Sequence, residues 1–539
     1  MGQLGYGRHR RVCWTISSVP PALCRPTAPT RCWSYSAPRH TSAEADQCLL
    51  FFIANPTSCP LGKNFFKRIG ALFTDAEAEE DFVRFHSWAR SVGEGFLLPF
   101  GEDIKGDGEE ARVHLQVAYA MAGPETEKRA AEASGVTKVL TACQDPEMPY
   151  PIIIGAVVVP EDDLQFVAYE WTPQYSGVPV LLTSPQAAEA GLVQVKGLPE
   201  GTTVLGGVLI EPIGANSDAP EHALPASNGP PALMDLNRAW NVPLAQAAGI
   251  SSAFVAQHVP SQKISDYTGA IKLHVISADG SGALMGFADG GGVDNTGVHA
   301  ALRRGVAKLL VCNANGVALP EKGDKGDKGD KELLKADKEL LKATFAKAVS
   351  KQFSDLSSLF GAYPDDEPVN FGRKRSQLKD GETVSDNEIP GDKWNSYMQV
   401  LGKEKWDEVV DQMFDWSASN PEGKPLMCHV KDVDVVSNGY QGVCSRGEKV
   451  EIIFLFNSMP EKWKEMVDKV DDGVEGNFKE SHATENLFSF MADSTFPYIA
   501  TTKLTYDPNL VGYLSNLSAY NMRQILPEVR QLIGRDGGK

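Results

Sequence analysis

Apolar residues in this chain fall into short runs separated by turn formers, and the runs are of two kinds. Pro151-Ile152-Ile153-Ile154-Gly155-Ala156-Val157-Val158-Val159 is dominated by β-branched side chains and predicts a buried strand. Residues 164–171 predict a second strand. Residues 204–210 predict a third, with a bulge or tight turn at Gly206-Gly207, and residues 450–456 a further one. Helical spacing instead links Phe82, Phe85, Trp88 and Ala89 within residues 75–93. Ser458-Met459-Pro460-Glu461 fits a capping box with an early proline, so a helix is expected from there through Trp463 and Met466. Two more predicted strands, at 273–276 and 307–312, bracket an apolar stretch (282–286), a glycine-rich turn and a helix-like stretch (298–304). Strand, glycine turn, helix, strand is the alternation of an α/β layer.

Two regions break this texture. Residues 1–43 contain no Asp or Glu, carry six Arg, and are rich in Pro, Ser and Thr. That composition fits an organellar transit peptide, and it equally fits sequence foreign to the rest of the protein. With no periodicity, residues 1–62 are expected to form a disordered leader that packs little against a body at 63–539. The second region, at about 321–345, repeats a Gly-Asp-Lys triplet from Gly323 to Lys331 and then a heptad through Ala343. The triplets are too few for collagen and the heptads too few for a stable coiled coil, so a projecting, dispensable charged insert is expected.

The 539 residues suffice for two to four domains or one large α/β domain with insertions. A net charge of −18 argues against nucleic acid as the main partner and offers no field for an anionic membrane. A local apolar or basic face remains open to lipid. No apolar run approaches the roughly 18–20 residues that span a bilayer. Five of the nine cysteines lie in the first 59 residues, and the scattered Cys143, Cys312, Cys428 and Cys444 read as reduced thiols. Zinc spacings and the EF-hand loop pattern are absent from the sequence, so neither a metal nor a cofactor is expected.

The residue with most chemical promise is Asp289, in Phe287-Ala288-Asp289-Gly290-Gly291-Gly292-Val293-Asp294-Asn295-Thr296-Gly297. Glycines let a backbone approach its neighbours closely and reach positive φ. A carboxylate in such a turn can act as a general base for a nucleophile within hydrogen-bond reach. Taken alone, the motif is more often a tight left-handed turn with a helix-capping Asp, and the wider context favours the chemical reading. A nucleophile is harder to find, because no G-x-S-x-G occurs in the chain. Gly249-Ile250-Ser251-Ser252-Ala253 offers Ser251 and Ser252 in a loose elbow, yet residues 244–248 favour a helix where an elbow needs a strand. Ser281, in Gly280-Ser281-Gly282, reads as a loop residue.

Over roughly residues 63–539, less the charged insert, the chain resembles the cytosolic phospholipase A2 and patatin-like acyl hydrolases. The segment 287–313 carries this resemblance, with Asp-Gly-Gly, Asp-Asn-Thr-Gly, Ala-Leu-Arg-Arg-Gly-Val and an apolar strand in order. Supporting segments are Phe96-Leu97-Leu98-Pro99-Phe100-Gly101, Pro149-Tyr150-Pro151-Ile152-Ile153, residues 169–175, 243–254 and 452–463, and Phe496-Pro497-Tyr498. The resemblance implies an α/β fold: a three-layer α/β/α patatin/cytosolic-phospholipase-like domain, here lacking its N-terminal strand–elbow part. It makes Asp289 the catalytic acid of a Ser-Asp dyad, with Gly290 and Gly291 supporting its turn. The implied substrate is a phospholipid or lysophospholipid at a membrane surface, met by a cytoplasmic, peripheral protein, or by an organellar one if the leader is a transit peptide. Because the serine motif and the upstream glycine-rich oxyanion loop are missing, activity is expected to be impaired. The alternative is an inactive phospholipase-fold module that binds lipid or protein. A further possibility is that the leader is an error and the protein starts upstream with an intact dyad.

Overall fold

The computed structural model describes residues 282–313, 318–320, 338–373, 386–418, 423–466, 496–498 and 508–534. Before residue 282 it describes 13–16, 117–118, 138–139, 150–158, 166–172, 176–183, 193–194, 204–207, 216–217, 239–240, 247, 250 and 272–276. The helix expected within 75–93 lies outside these residues.

Six strands make the larger sheet: β1 (Cys13–Ile16), β2 (Tyr150–Val158), β3 (Phe166–Trp171), β4 (Ser176–Gly177), β5 (Lys272–Ile276) and β6 (Gly282–Asp289). Their order is β5-β6-β2-β3-β4, with antiparallel neighbours, while β1 lies parallel to β2. The long β-branched run at 150–158 takes the central place, where both faces are covered. Ile152, Ile154, Ala156, Phe166, Ala168 and Ala288 turn to one face and pack on Val293 and Ala300. Those two residues belong to α1 (Gly291–Asp294) and α2 (Val298–Arg303), which follow β6 directly. Gly155, Tyr169, Trp171, Phe287 and Asp289 alternate to the opposite face.

Beyond α2 the chain enters β7 (Lys308–Asn313), which pairs in parallel with β9 (Lys449–Phe456). On its other side β9 pairs antiparallel with β8 (Met427–Asp434). Between β7 and β8 come α3 (Lys338–Gln352), α4 (Ser354–Leu359), α5 (Gly391–Met398) and α6 (Trp406–Ala418). In α6, Trp406, Val409, Val410, Met413 and Phe414 form one apolar stripe at helical spacing. With Phe345 of α3 and Leu356 of α4 they cover Val311, Cys428, Val430, Ile452 and Phe454. The other face of this sheet, Leu310, Met427 and Leu455, packs on Met522, Ile525 and Val529 of α7 (Pro508–Ile533). Helices and sheets therefore pack together in a mixed α/β arrangement. Among the described residues no helix is long and apolar enough to cross a membrane.

Several expectations are corrected. Cys13–Ile16 fall in the presumed disordered leader, yet they form a strand on β2, because these four residues supply enough β-prone side chain to extend its edge. The end of the charged insert is α3. Phe345 is buried against Phe414 with ring centroids 5.3 Å apart, and Lys342 meets Asp411 at 2.6 Å, so residues 338–345 do not project. The helix expected after Ser458 exists but starts at residue 461. The Ser458 hydroxyl accepts the Leu426 N–H at 2.7 Å, so a strand neighbour claims the group that would have capped the helix. One expectation holds: Val204–Gly206 is a strand, and it ends in the expected glycine turn, with Gly206 and Gly207 both at positive φ.

Candidate functional site

Asp289 is the last residue of β6, paired in register with Gly155 of β2 and 6% exposed. The chain then turns sharply into α1. Gly290 has φ −63° and ψ −25°, so the expected left-handed turn is not there. Its need for glycine is one of space: a Cβ would stand 2.0 Å from the Ile154 carbonyl oxygen. The left-handed residue is Gly297, at φ 72°, which opens α2. At 2.7 Å, Oδ1 of Asp289 accepts the Gly291 N–H. Burial pushes the Asp289 carboxyl up to about 7, against the opposing pull of that N–H. A carboxyl that titrates near neutrality can both take up and release a proton there, which is what general acid–base chemistry requires.

The face that presents Asp289 is aromatic. Tyr169 lies 5.0 Å from Phe287, edge to face, and 4.6 Å from Trp171. The missing side chain of Gly155 makes room for this packing, since a Cβ there would meet Trp171 at 2.6 Å and Ile250 at 2.7 Å. Ile250 is helical and fully buried, so the chain just before Ser251 packs against the register partner of Asp289. Ser251, Ser252 and Ser281 themselves lie outside the described residues. Gly282 opens β6 at the end opposite Asp289, roughly 23 Å away at strand rise.

Sheet register reveals one relation that no motif signalled. Ile153 pairs with Trp171 of β3 and with Ile16 of β1, so β1 lies on the edge of β2 that also holds β6. Along that edge β1 runs parallel to β2 and stops at Ile153, while β6 runs the other way and stops at Gly155. The carboxyl ends of β1 and β6 thus meet head-on, about two residues or 7 Å apart. The sequence after Ile16 continues as Ser17-Ser18, outside the described residues.

Behind the turn lies a buried polar cluster. Asp294 is 1% exposed and accepts the Ala300 N–H at 3.0 Å and the Thr296 hydroxyl at 3.2 Å. His299, fully buried, places Nδ1 3.2 Å from Asp294 Oδ1 and Nε2 2.9 Å from the Met398 carbonyl oxygen. Burial alone would raise the Asp294 carboxyl, but His299, Arg303 and the Ala300 N–H together bring it below its ordinary value. Asp355 receives the Asn295 amide at 2.7 Å. Its carboxyl is raised, first by burial and further by the charge of Asp294. On the far side of α2, fully buried Glu170 holds Arg303 at 2.5 Å and Arg304 at 2.6 Å. Nothing in the hydrophobic pattern singles out Asp294, His299, Asp355 or Glu170. The usable signal was the spacing of Asp294, His299 and Arg303, which puts three ionisable groups within a ten-residue segment that must cover a sheet.

Among the described residues no group of three or more His, Cys, Asp or Glu side chains is arranged to hold a metal ion. Neither a scan of the chain against protein-family models nor a search of curated proteins finds a match.

Proposed function

We propose that this chain is built on the three-layer scaffold of the serine–aspartate lipid acyl hydrolases of the cytosolic phospholipase and patatin type, with Asp289 in the place of the dyad acid. The supporting observation is the position of that carboxyl: buried, at a strand's carboxyl end, beside a glycine that tolerates no side chain, and raised to about 7. In that chemistry a serine attacks the ester carbonyl of a phospholipid or lysophospholipid while the carboxylate takes its proton. Backbone amides hold the oxyanion, and water then releases the acyl group. Without G-x-S-x-G the chain is an impaired hydrolase, since a carboxylate alone supplies neither attacker nor oxyanion donors. Its setting is a membrane surface reached from the cytoplasm.

The test combines a fluorophosphonate probe, a short-chain nitrophenyl ester and sedimentation with phosphatidylcholine vesicles. The expected result is vesicle binding with labelling and turnover at background. Labelling at Ser17, Ser18, Ser251 or Ser252 that disappears in Asp289→Asn would make the enzyme active and keep Asp289 as its acid. Labelling that persists in Asp289→Asn, or failure to bind vesicles at all, would overturn the proposal. The missing elbow motif favours a second reading, a non-catalytic module that binds lipid or protein. Lysophospholipid turnover, lost in Asp289→Asn, separates the two readings.

A further inference from the structure

The turn that carries Asp289 is not held by β6 alone. The Gly290 carbonyl accepts the N–H groups of Val293 and Asp294, both at 3.0 Å, so α1 is a single turn closed on the residue after Asp289. Asp294 ends α1 and also serves the start of α2, where Gly297 has no side chain with which to cap. One carboxylate therefore ties the turn to α2.

His299 then ties that carboxylate to a distant part of the chain. A carbonyl oxygen only accepts hydrogen bonds, so Nε2 must carry a hydrogen toward Met398. That leaves Nδ1 facing a carboxylate oxygen at 3.2 Å, a close buried contact whose geometry falls short of a hydrogen bond. Met398 is the last residue of α5, where helix carbonyls lack partners from their own helix. One helical turn on from His299, Arg303 donates to the Gln441 carbonyl at 2.7 Å. The Gln441 amide in turn reaches the Tyr397 carbonyl at 3.1 Å. Two residues of α2, four apart on one face, thus clamp it to the end of α5 and its neighbouring loop.

We propose that His299 is a positioning residue for Asp289: through its buried contact with the Asp294 carboxylate and its bond to the Met398 carbonyl, it holds the glycine turn closed over the sheet. The charged groups around the link are Asp294 on α1, Arg303 on α2 and Asp355 on α4, with Asn295 bridging to the last. If the link opens, α1 loosens, water reaches the strand end, and the carboxyl of Asp289 loses the burial that raises it. This rests on the reading of Asp289 as a dyad acid only for what the turn is for.

The experiment is a carbon-13 NMR titration of the Asp289 side chain in the full chain, assigned by loss of its signal in Asp289→Asn. The variants are His299→Ala and His299→Gln, whose amide can still reach Met398 but offers Asp294 no imidazole. Phe345→Leu, where the ring packs on Phe414 between α3 and α6, is the stability control. The expected result is a midpoint near 7 in the parent chain and in Phe345→Leu. In both His299 variants it should fall by at least about one pH unit. Should His299→Ala fail to fold, His299→Gln alone decides. A midpoint that stays or rises in folded His299→Gln, while melting drops as in the control, overturns the proposal and leaves His299 a packing residue. Turnover plays no part in this readout, so failure of the acyl hydrolase reading would appear in the probe and vesicle experiments and not here.

Discussion

Replacing Gly290 with alanine separates two physical accounts of the turn, because they predict opposite signs. Gly290 sits at φ −63° and ψ −25°, a conformation open to any residue. If conformation were the whole story, Gly290→Ala would restrict the unfolded chain and stabilise the protein by about 0.4–1 kcal/mol. The alanine Cβ, however, would lie 2.0 Å from the Ile154 carbonyl oxygen and 2.6 Å from its carbon. Both are backbone atoms of the central strand, so neither can rotate away. Relief requires β6 or α1 to move more than 1 Å off β2, and overpacking of that kind costs about 1–3 kcal/mol. The internal reference is Gly286 on β6, the strand that leads into the turn, where a Cβ meets nothing within 4 Å. By differential scanning fluorimetry, Gly286→Ala should melt at or slightly above the parent temperature. Gly290→Ala should melt lower by about 2–12 °C, taking about 2–4 °C per kcal/mol. Gly290→Ala melting at or above Gly286→Ala would refute the contact argument and remove the reason for a glycine next to Asp289.

Three further outcomes are expected. The carboxyl of Asp289 is raised from 3.8 to about 7, so the folded state keeps a proton that the unfolded chain gives up first. Its favourable contribution is complete below about pH 4, falls as pH rises, and is gone above about pH 7, a change of about 4 kcal/mol at 1.36 kcal/mol per unit. Urea titrations should therefore show Asp289→Asn close to the parent at pH 4 and more stable at pH 8; equal pH slopes would contradict the burial. Glu170→Gln strips the buried Arg303 side chain and the partly exposed Arg304 side chain of their shared, fully buried carboxylate and should cost about 3–5 kcal/mol in urea unfolding, whereas a loss below 1 kcal/mol would mean that the triad is solvated. Phe345→Ala should cost about 3–5 kcal/mol, measured the same way, because the ring is 3% exposed against Phe414; a neutral effect would return residues 338–345 to the dispensable insert.

What could be read from the sequence was whatever each segment decides locally. The runs at 150–158, 272–276, 308–313 and 449–456 are strands because their β-branched and aromatic side chains suit a pleated, two-sided burial. The step from β6 through a glycine turn into α2 was visible because an apolar stretch, three glycines and a helix-like stretch follow one another there. What failed was whatever a distant partner decides. Ser458 looks like a helix cap until Leu426 takes its hydroxyl. A heptad of Lys, Glu and Leu looks like a solvated helix until Phe345, just beyond the repeat, finds Phe414.

The candidate site shows the same division at finer grain. Asp289 was legible because a carboxylate between an apolar strand and three glycines is a rare local pattern. The cause of the first glycine was not legible: the sequence pointed to positive φ, and the structure shows a collision with Ile154 on another strand. Such a glycine reports how closely two backbones must pass, so it places the β6 terminus against β2 and fixes where the carboxyl can stand. The meeting of the β1 and β6 ends follows from the same register, since both strands use one edge of β2 and stop two residues apart. On the proposed dyad reading, a nucleophile for Asp289 has to come from a chain segment that reaches this point. Two described residues stand near it: Ile16, where β1 stops about two residues short of β6 along β2, and Ile250, which lies against Gly155. Register on β2, and not a sequence motif, is what brings these two points of the chain up to the Asp289 turn.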